Sequence, residues 1–76
     1  MGWKSKSDGS TLFGDRLKKE RIRRGMSVRE FAVAVNCSIS QITGAENRGV
    51  EPRLRNVIKM AQVLDCSIDY LCVLED

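Results

Sequence analysis

The sequence predicts an all-α domain made of five short helices. Apolar residues recur at intervals of three and four from residue 11 onward, the spacing that gives an α-helix one buried face. Three of these segments follow a serine that can act as an N-cap, and no segment alternates apolar and polar residues as a half-buried strand does. A chain of 76 residues makes one domain, and a domain of this size buries only about 60% of its unfolded surface. Its stability is therefore marginal, and a dimer would add to it.

The first two helices have clear starts and ends. Helix 1 begins at Thr11, carries its arginines late, as the helix dipole favours, and ends at Gly25. Helix 2 begins after Ser27, and Glu30 three residues further on completes a capping box. Asn36 can adopt the left-handed conformation that ends helix 2.

The last three helices follow after short links. Helix 3 begins after the N-cap Ser38 and breaks at residues 47–49, and Pro52 stands just before or at the start of helix 4. Helix 5 begins after Ser67, with Ile68, Leu71 and Cys72 facing inward. The apolar stripe predicted for helix 4 consists of Leu54, Val57, Ile58, Ala61 and Leu64.

Charge divides the chain into two parts. Residues 1–59 hold all thirteen Lys and Arg residues and six acidic residues, whereas residues 60–76 hold four acidic residues and no basic one. This asymmetry indicates either that one face meets a polyanion or that the surface is simply a solvated mixture of charges, and charge alone does not decide between them. Residues 1–10 are predicted to form a flexible tail, and residues 11–76 the folded domain.

Several classes of function lack their usual residues. Three cysteines without a CxxC pair indicate free thiols in a reducing compartment, and three scattered thiols without a histidine make a poor zinc site. Cys37 and Cys66 are expected to be core residues rather than a redox switch. The sequence has no glycine-rich phosphate loop and no paired carboxylates. No enzymatic activity, cofactor or small-molecule ligand is therefore expected. The longest apolar run, Phe31–Val35, is too short for a membrane helix, and no signal peptide is visible, so a cytoplasmic protein is expected.

A series of short motifs occurs in a characteristic order. The motifs are SVRE at 27–30, FA at 31–32, CS at 37–38, EN at 46–47, Pro52 and SIDYL at 67–71. Together they resemble the helix-turn-helix of the Xre and Cro/phage-repressor family, from Leu12 to about Leu74. The resemblance implies a five-helix lambda-repressor-like DNA-binding domain in which helices 2 and 3 form the helix-turn-helix. It also implies a bacterial or phage-encoded protein that binds double-stranded DNA.

The third helix of such a domain enters the major groove, so its outward face is the expected reading face. At about 100° per residue, Ile42 and Ala45 point to the core, while Ser40, Thr43, Gly44 and Asn47 share the opposite side. Gly44 is expected to let the helix approach the bases closely; the alternatives are a tolerated defect or a glycine that relieves a crowded dimer. Because this face has few long polar side chains, specificity should depend on methyl contacts, water and DNA shape.

The predicted DNA-binding set combines this face with the N-termini of helices 2 and 3 and the loop after helix 3. Ile39 and Gln41 flank the reading face, and of these two only Gln41 can form a bidentate contact with adenine. The loop residues suit phosphate. The complete set is Ser27, Val28, Arg29, Ser38, Ile39, Ser40, Gln41, Thr43, Gly44, Asn47, Arg48 and Arg53.

Two further groups have structural roles. The resemblance implies an ion pair between Arg21 and Glu46, which would tie the first helix to the third. Tyr70, Val73 and Leu74 are expected to face outward from helix 5 and to form the interface of a two-fold dimer. The half-sites of that dimer would lie about 34 Å apart on the duplex.

Two functions from different classes are consistent with these observations. The first is a dimeric, sequence-specific DNA-binding regulator of transcription, such as a repressor or a controller, with no enzymatic activity. The alternative is a protein-interaction module, antitoxin-like or a decoy partner, that uses the same fold with weak DNA binding. The reading face, which has no arginine, favours the alternative, and the salt dependence of DNA binding separates the two.

Overall fold

Helices dominate the part of the chain that the structure, a computed structural model, describes, namely residues 12–72. No strand occurs within this range, so the all-α fold of five helices is confirmed. The predicted tail, Val73 and Leu74 lie outside the described residues. The helices are α1 (Leu12–Arg23), α2 (Val28–Val35), α3 (Ile39–Asn47), α4 (Leu54–Leu64) and α5 (Ile68–Leu71).

The ends of the helices follow local sequence signals. Ser27 and Ser38 each accept a hydrogen bond from the backbone N–H three residues on, and both form complete capping boxes. Asn36 ends α2 in the left-handed conformation with φ of 65°, and Gly25 has φ of 71°. These predicted starts and stops are confirmed. Asp65 plays the same part at the end of α4, with φ of 53°.

The core contains buried apolar side chains from all five helices. Phe31, Leu17 and Ile42 are among the largest that are fully buried. Helix α4 differs from its predicted stripe, because Leu54 is 69% exposed and Ile58 is 37% exposed. The buried members of the core cluster are Leu17, Phe31, Ala32, Val35, Ile42, Ala45, Met60, Ala61, Leu64 and Leu71.

The reason for that difference is the direction in which α4 packs. Helix α4 packs against α2 and α5, and the side that meets them carries Met60, which has no exposed surface. The predicted stripe was therefore too wide on one side, since Leu54 and Ile58 lie at its solvent edge.

The turn between α2 and α3 is repeated between α4 and α5. The sequence AVAVNCSISQI at 32–42 corresponds to AQVLDCSIDYL at 61–71, with a left-handed residue, a cysteine and a capping serine at matching places. The Cys37 N–H donates to the carbonyl of Ala32 at 2.8 Å, and the Cys66 N–H donates to that of Ala61 at 3.1 Å. The domain thus contains two helix-turn-helix geometries, and both place their apolar residues in the same core.

Candidate nucleic-acid interface

An ion pair fixes α3 to α1. The Arg21 Nε donates to Oε2 of Glu46 at 2.7 Å, and Arg21 Nη2 donates to Oε1 at 3.1 Å. The remaining terminal nitrogen of Arg21 donates to the carbonyl of Met26 at 2.7 Å. Both side chains are buried. The ion pair expected between Arg21 and Glu46 is therefore present, and it joins the end of α1, the α1–α2 turn and the last turn of α3.

The other end of this helix contact depends on Gly14, which the sequence analysis did not single out. A Cβ at Gly14 would overlap the carbonyl oxygen of Ala45 and would lie 2.9 Å from that of Glu46. Only glycine lets α1 approach the α3 backbone this closely. A glycine on a helix face whose other residues have long side chains is the sequence signal that could have identified Gly14.

The side of α3 that faces away from α1 is polar and mostly exposed. Ile42 and Ala45 are buried as predicted, with 0% and 1% of their surface exposed. Thr43 is half-buried, and its hydroxyl donates to the carbonyl of Ser40 at 3.2 Å. The exposed residues of the predicted set on α3 and its flanks are Ser38, Ile39, Ser40, Gln41, Asn47 and Arg48.

The prediction that Gly44 belongs to the exposed face is wrong. Gly44 is buried, because the loop after α3 folds back over it. Its carbonyl accepts hydrogen bonds from the N–H groups of Arg48 at 3.0 Å and Val50 at 3.1 Å. A Cβ at Gly44 would lie 3.0 Å from Nη2 of Arg48 and 3.5 Å from the Val50 side chain. The position faces its own loop, and close approach of the Gly44 backbone to DNA is not what this glycine provides.

The side chain of Gln41 already has a structural partner. Its Oε1 accepts a hydrogen bond from the Ser38 N–H at 2.8 Å, while the Ser38 hydroxyl accepts from the Gln41 N–H at 3.1 Å. A bidentate contact with adenine needs that same amide oxygen. While the capping box is closed, Gln41 can offer a base its Nε2 group and the second lone pair of Oε1.

The other predicted contacts surround the N-termini of α2 and α4. Arg29 and Arg53 are exposed, and Arg53 is the N-cap of α4 without making a side-chain cap bond. Ser27 is exposed and caps α2, so the first N–H groups of α2 point outward. Val28, by contrast, is half-buried and packs against the core.

Tyr70 does not face outward from α5 as predicted. Its ring lies beneath the guanidinium of Arg16, 4.5 Å from the ring centroid, and its hydroxyl donates to Oε2 of Glu20 at 3.5 Å. Arg16 Nη1 also donates to the Tyr70 carbonyl. The outward orientation is wrong because α5 packs against α1, which occupies that side of the ring.

The described residues also include two free cysteines close to the core, Cys37 and Cys66. Cys37 and Cys66 are half-buried against the core, and burial raises the pKa of both thiols. Among residues 12–72, no three His, Cys, Asp or Glu side chains are grouped so that they could hold a metal ion. Within the same range, no helix has the length and apolar character needed to span a bilayer.

Comparison with known proteins decides the family. The helix-turn-helix family model HTH_3 matches residues 17–71. The chain belongs to this helix-turn-helix family. The resemblance inferred from the order of motifs is thereby confirmed, and helices α2 and α3 are its helix-turn-helix. No curated protein matches the chain.

Solved structures of helix-turn-helix proteins are similar over most of their length. The restriction-modification controller protein C.AhdI from Aeromonas hydrophila is 30% identical with a TM-score of 0.73, covering 79% of this chain and 91% of that one. The P22 c2 repressor, solved with a synthetic operator, is 28% identical with a TM-score of 0.76 and the same coverage. The N-terminal DNA-binding domain of SinR from Bacillus subtilis is 27% identical with a TM-score of 0.76, covering 86% and 93%.

Proposed function

We propose that this helix-turn-helix protein is a sequence-specific regulator of transcription that binds double-stranded DNA. The observation that carries the proposal is α3, whose inner side is fixed by the Arg21–Glu46 ion pair while its outer side remains polar and exposed. The P22 c2 repressor was solved with an operator and SinR with DNA, and C.AhdI is a controller protein. A cytoplasmic, non-enzymatic repressor or controller of bacterial or phage origin fits these relatives.

The contacts proposed for the DNA backbone lie beside α3. Arg29 and Arg53 are exposed cations near the N-termini of α2 and α4, and the Ser27 and Ser38 ends of α2 and α3 present outward N–H groups. Ser40, Thr43 and Asn47 form the proposed polar contact surface on α3, with Ile39 for a thymine methyl. The domain that carries these residues is proposed to extend over residues 11–76.

A salt titration of binding to duplex DNA tests this function. Because each neutralised phosphate releases counterions, affinity should fall steeply between about 50 and 200 mM salt. Arg29→Ala and Arg53→Ala should each make the slope shallower by about one unit. Lys19→Ala is the matched control, since Lys19 is exposed on the side of α1 away from α3 and should leave the slope unchanged.

Absence of binding to any duplex at low salt would contradict the proposed function. It would favour instead the protein-interaction module, which the helix-turn-helix relatives do not favour.

A homodimer is the second part of the proposal. The α4–α5 end of the molecule exposes Leu54 and Ile58 beside a groove lined by Ile68 and Cys66, and the charged residue that lines this groove is Asp65. A face of this kind is unsuited to DNA and suited to a second copy. The predicted interface residues Val73 and Leu74 come two and three positions after Leu71, the last residue of α5.

The oligomeric state of an α4 variant tests the dimer. Ile58→Glu should give a monomer on sedimentation, whereas Val33→Glu should not, because Val33 is 75% exposed on α2 and does not line this groove. A dimer that survives Ile58→Glu would place the interface elsewhere.

A further inference from the structure

The exposed side of α3 carries no charged residue of its own. Glu46 is the single charged residue within Ile39–Asn47, and it is buried with Arg21. The outer side therefore consists of hydroxyl and amide groups, including Ser40 and Asn47. A guanine edge presents two acceptors in the major groove, and a cationic fork is the group that recognises it best.

Arg48 brings such a fork back onto α3. Residues 44 and 48 are four apart and lie on the same side of the helix, so a side chain at 48 can reach back over position 44. The distance shows that it does: a Cβ at Gly44 would be only 3.0 Å from Nη2 of Arg48. The guanidinium thus fills the volume that a side chain at 44 would occupy, on the side that includes Ser40 and Asn47.

The backbone around Arg48 is held in place by Gly44 as well. The Gly44 carbonyl accepts from both Arg48 and Val50, Gly49 has φ of 69°, and Val50 packs over the glycine. Within residues 12–72 the guanidinium forms no ion pair, although the residue itself is exposed. The Arg48 backbone is therefore held by Gly44, and the guanidinium N–H groups remain available to a ligand.

We propose that Arg48, laid across Gly44, reads a guanine in the major groove through its O6 and N7 atoms, and that Gly44 positions it. The inference rests on the proposed DNA binding and replaces the prediction that Arg48 contacts phosphate. It also explains the glycine: any side chain at 44 would take the place of the guanidinium. Because the same fork binds phosphate oxygens, the test must separate a base contact from a backbone contact.

The experiment starts with selection of bound duplexes from a random pool by the full chain. The selected site should contain one invariant guanine per half-site, and changing that G·C pair to A·T should lower affinity roughly 5- to 150-fold. Replacing the guanine by 7-deazaguanine, which lacks the N7 acceptor, should also weaken binding by the unaltered protein.

Two variants assign the contact to Arg48 and its position to Gly44. Arg48→Lys keeps the charge but loses the fork, so it should bind random duplex within about twofold of the original while its preference for the guanine falls, because a single ammonium contacts O6 and N7 less well than the fork does. Gly44→Leu should remove the same preference and the sensitivity to 7-deazaguanine, with circular dichroism as the check that the variant is folded. Gly44→Ala, whose Cβ displaces only the end of the arginine, should give a partial loss.

Guanine preference retained in Arg48→Ala would overturn the inference, as would equal loss on every duplex in Arg48→Ala with a salt slope reduced by about one unit. The second result would identify a phosphate contact, and both would leave the proposed function intact. Failure of the unaltered protein to bind any duplex at low salt would instead overturn the proposed function, and this assignment with it.

Discussion

The two helix-turn-helix units of this domain share a turn and differ in everything around it. The α2–α3 and α4–α5 turns each have a left-handed residue, Asn36 or Asp65, followed by cysteine and a capping serine. Helix α3 has nine residues, however, and α5 has four. The first unit presents a helix long enough to expose one side, whereas the second closes the core with a single turn.

The charges around the two turns also differ. Arg48 follows α3, the second helix of the first unit, whereas Asp65 precedes and Asp69 lies within α5, the second helix of the second unit, and no basic residue follows Lys59. A phosphate backbone attracts the first environment and repels the second. The same local geometry therefore serves two purposes, and its surroundings decide which of the two can meet DNA.

The ion pairs that connect the two units to α1 differ most: the pair at α3 is buried, whereas the pair at Asp65 is exposed. Breaking each pair should give the largest expected difference in stability. Glu46→Ala leaves Arg21 buried without its carboxylate, and it should lower the free energy of unfolding by about 3–5 kcal/mol. The matched control on the second unit is Arg24→Ala, because Arg24 lies 3.9 Å from an Asp65 side chain that is 89% exposed. It should change stability by less than about 1 kcal/mol in urea unfolding. Similar losses in both variants would show that the buried pair is not what fixes α3.

Two buried glycines, Gly14 on α1 facing α3 and Gly44 within α3, provide the next test. Gly14→Ala forces a Cβ into the α3 carbonyls and should destabilise by about 1–3 kcal/mol, measured as a lower unfolding midpoint by circular dichroism. Gly44→Ala meets only the flexible end of Arg48 and ordinary contacts with Val50, so it should be neutral or stabilising by up to about 1 kcal/mol. The opposite order of the two midpoints would contradict the helix contact described here.

The caps of the two units should differ by a smaller amount. Ser38→Ala removes a cap and releases the reciprocal bond from Gln41, so it should cost about 1 kcal/mol in urea unfolding. Ser67 caps α5 through the Tyr70 N–H, but tyrosine cannot return the bond to the cap backbone, and Ser67→Ala should cost a few tenths of a kcal/mol less. Ser40→Ala, on the exposed side of α3, should stay within about 0.5 kcal/mol. A larger loss of stability in Ser67→Ala than in Ser38→Ala would show that the reciprocal bond of the capping box does not stabilise α3.

Cys37 and Cys66 are free thiols at matching positions of the two turns, and their difference in reactivity should be the smallest of the effects. Burial raises the pKa of both thiols; nearby Lys59 opposes this at Cys37, whereas Glu20 adds to it at Cys66. Alkylation by iodoacetamide at about pH 8 should be slower at both cysteines than in unfolded chain, and slower at Cys66 than at Cys37, as measured by mass spectrometry. Faster reaction at Cys66 would contradict the difference in surroundings.

The same pKa shifts set the sign of a stability change with pH. A thiol whose pKa is raised in the folded state loses its proton more readily when unfolded, so its contribution is fully present below the unfolded pKa of about 8.5. It is lost as pH rises through the higher folded value. Urea unfolding should therefore show lower stability above about pH 9, and this loss should shrink in Cys66→Ala.

The features that could be predicted from the sequence alone are local. Ser27, Ser38 and Asn36 mark their helix ends as predicted, because a cap or a left-handed stop depends on residues within four positions of it. The order and spacing of these signals also identified the helix-turn-helix family, which residues 17–71 match. The repeat of the turn is also readable from the sequence, since residues 36–39 and 65–68 differ only at their first position.

Only the tertiary structure decided which sides of the helices are free. Helical spacing put Gly44 on the outer side of α3 and Tyr70 on the outer side of α5, but a returning loop covers the first and α1 packs against the second. Leu54 and Ile58 had the spacing of core residues and lie at the solvent edge. The physical reason is the same in each case: periodicity states which residues share a side of a helix, whereas burial depends on what segments distant in sequence, or a loop that turns back, place against that side.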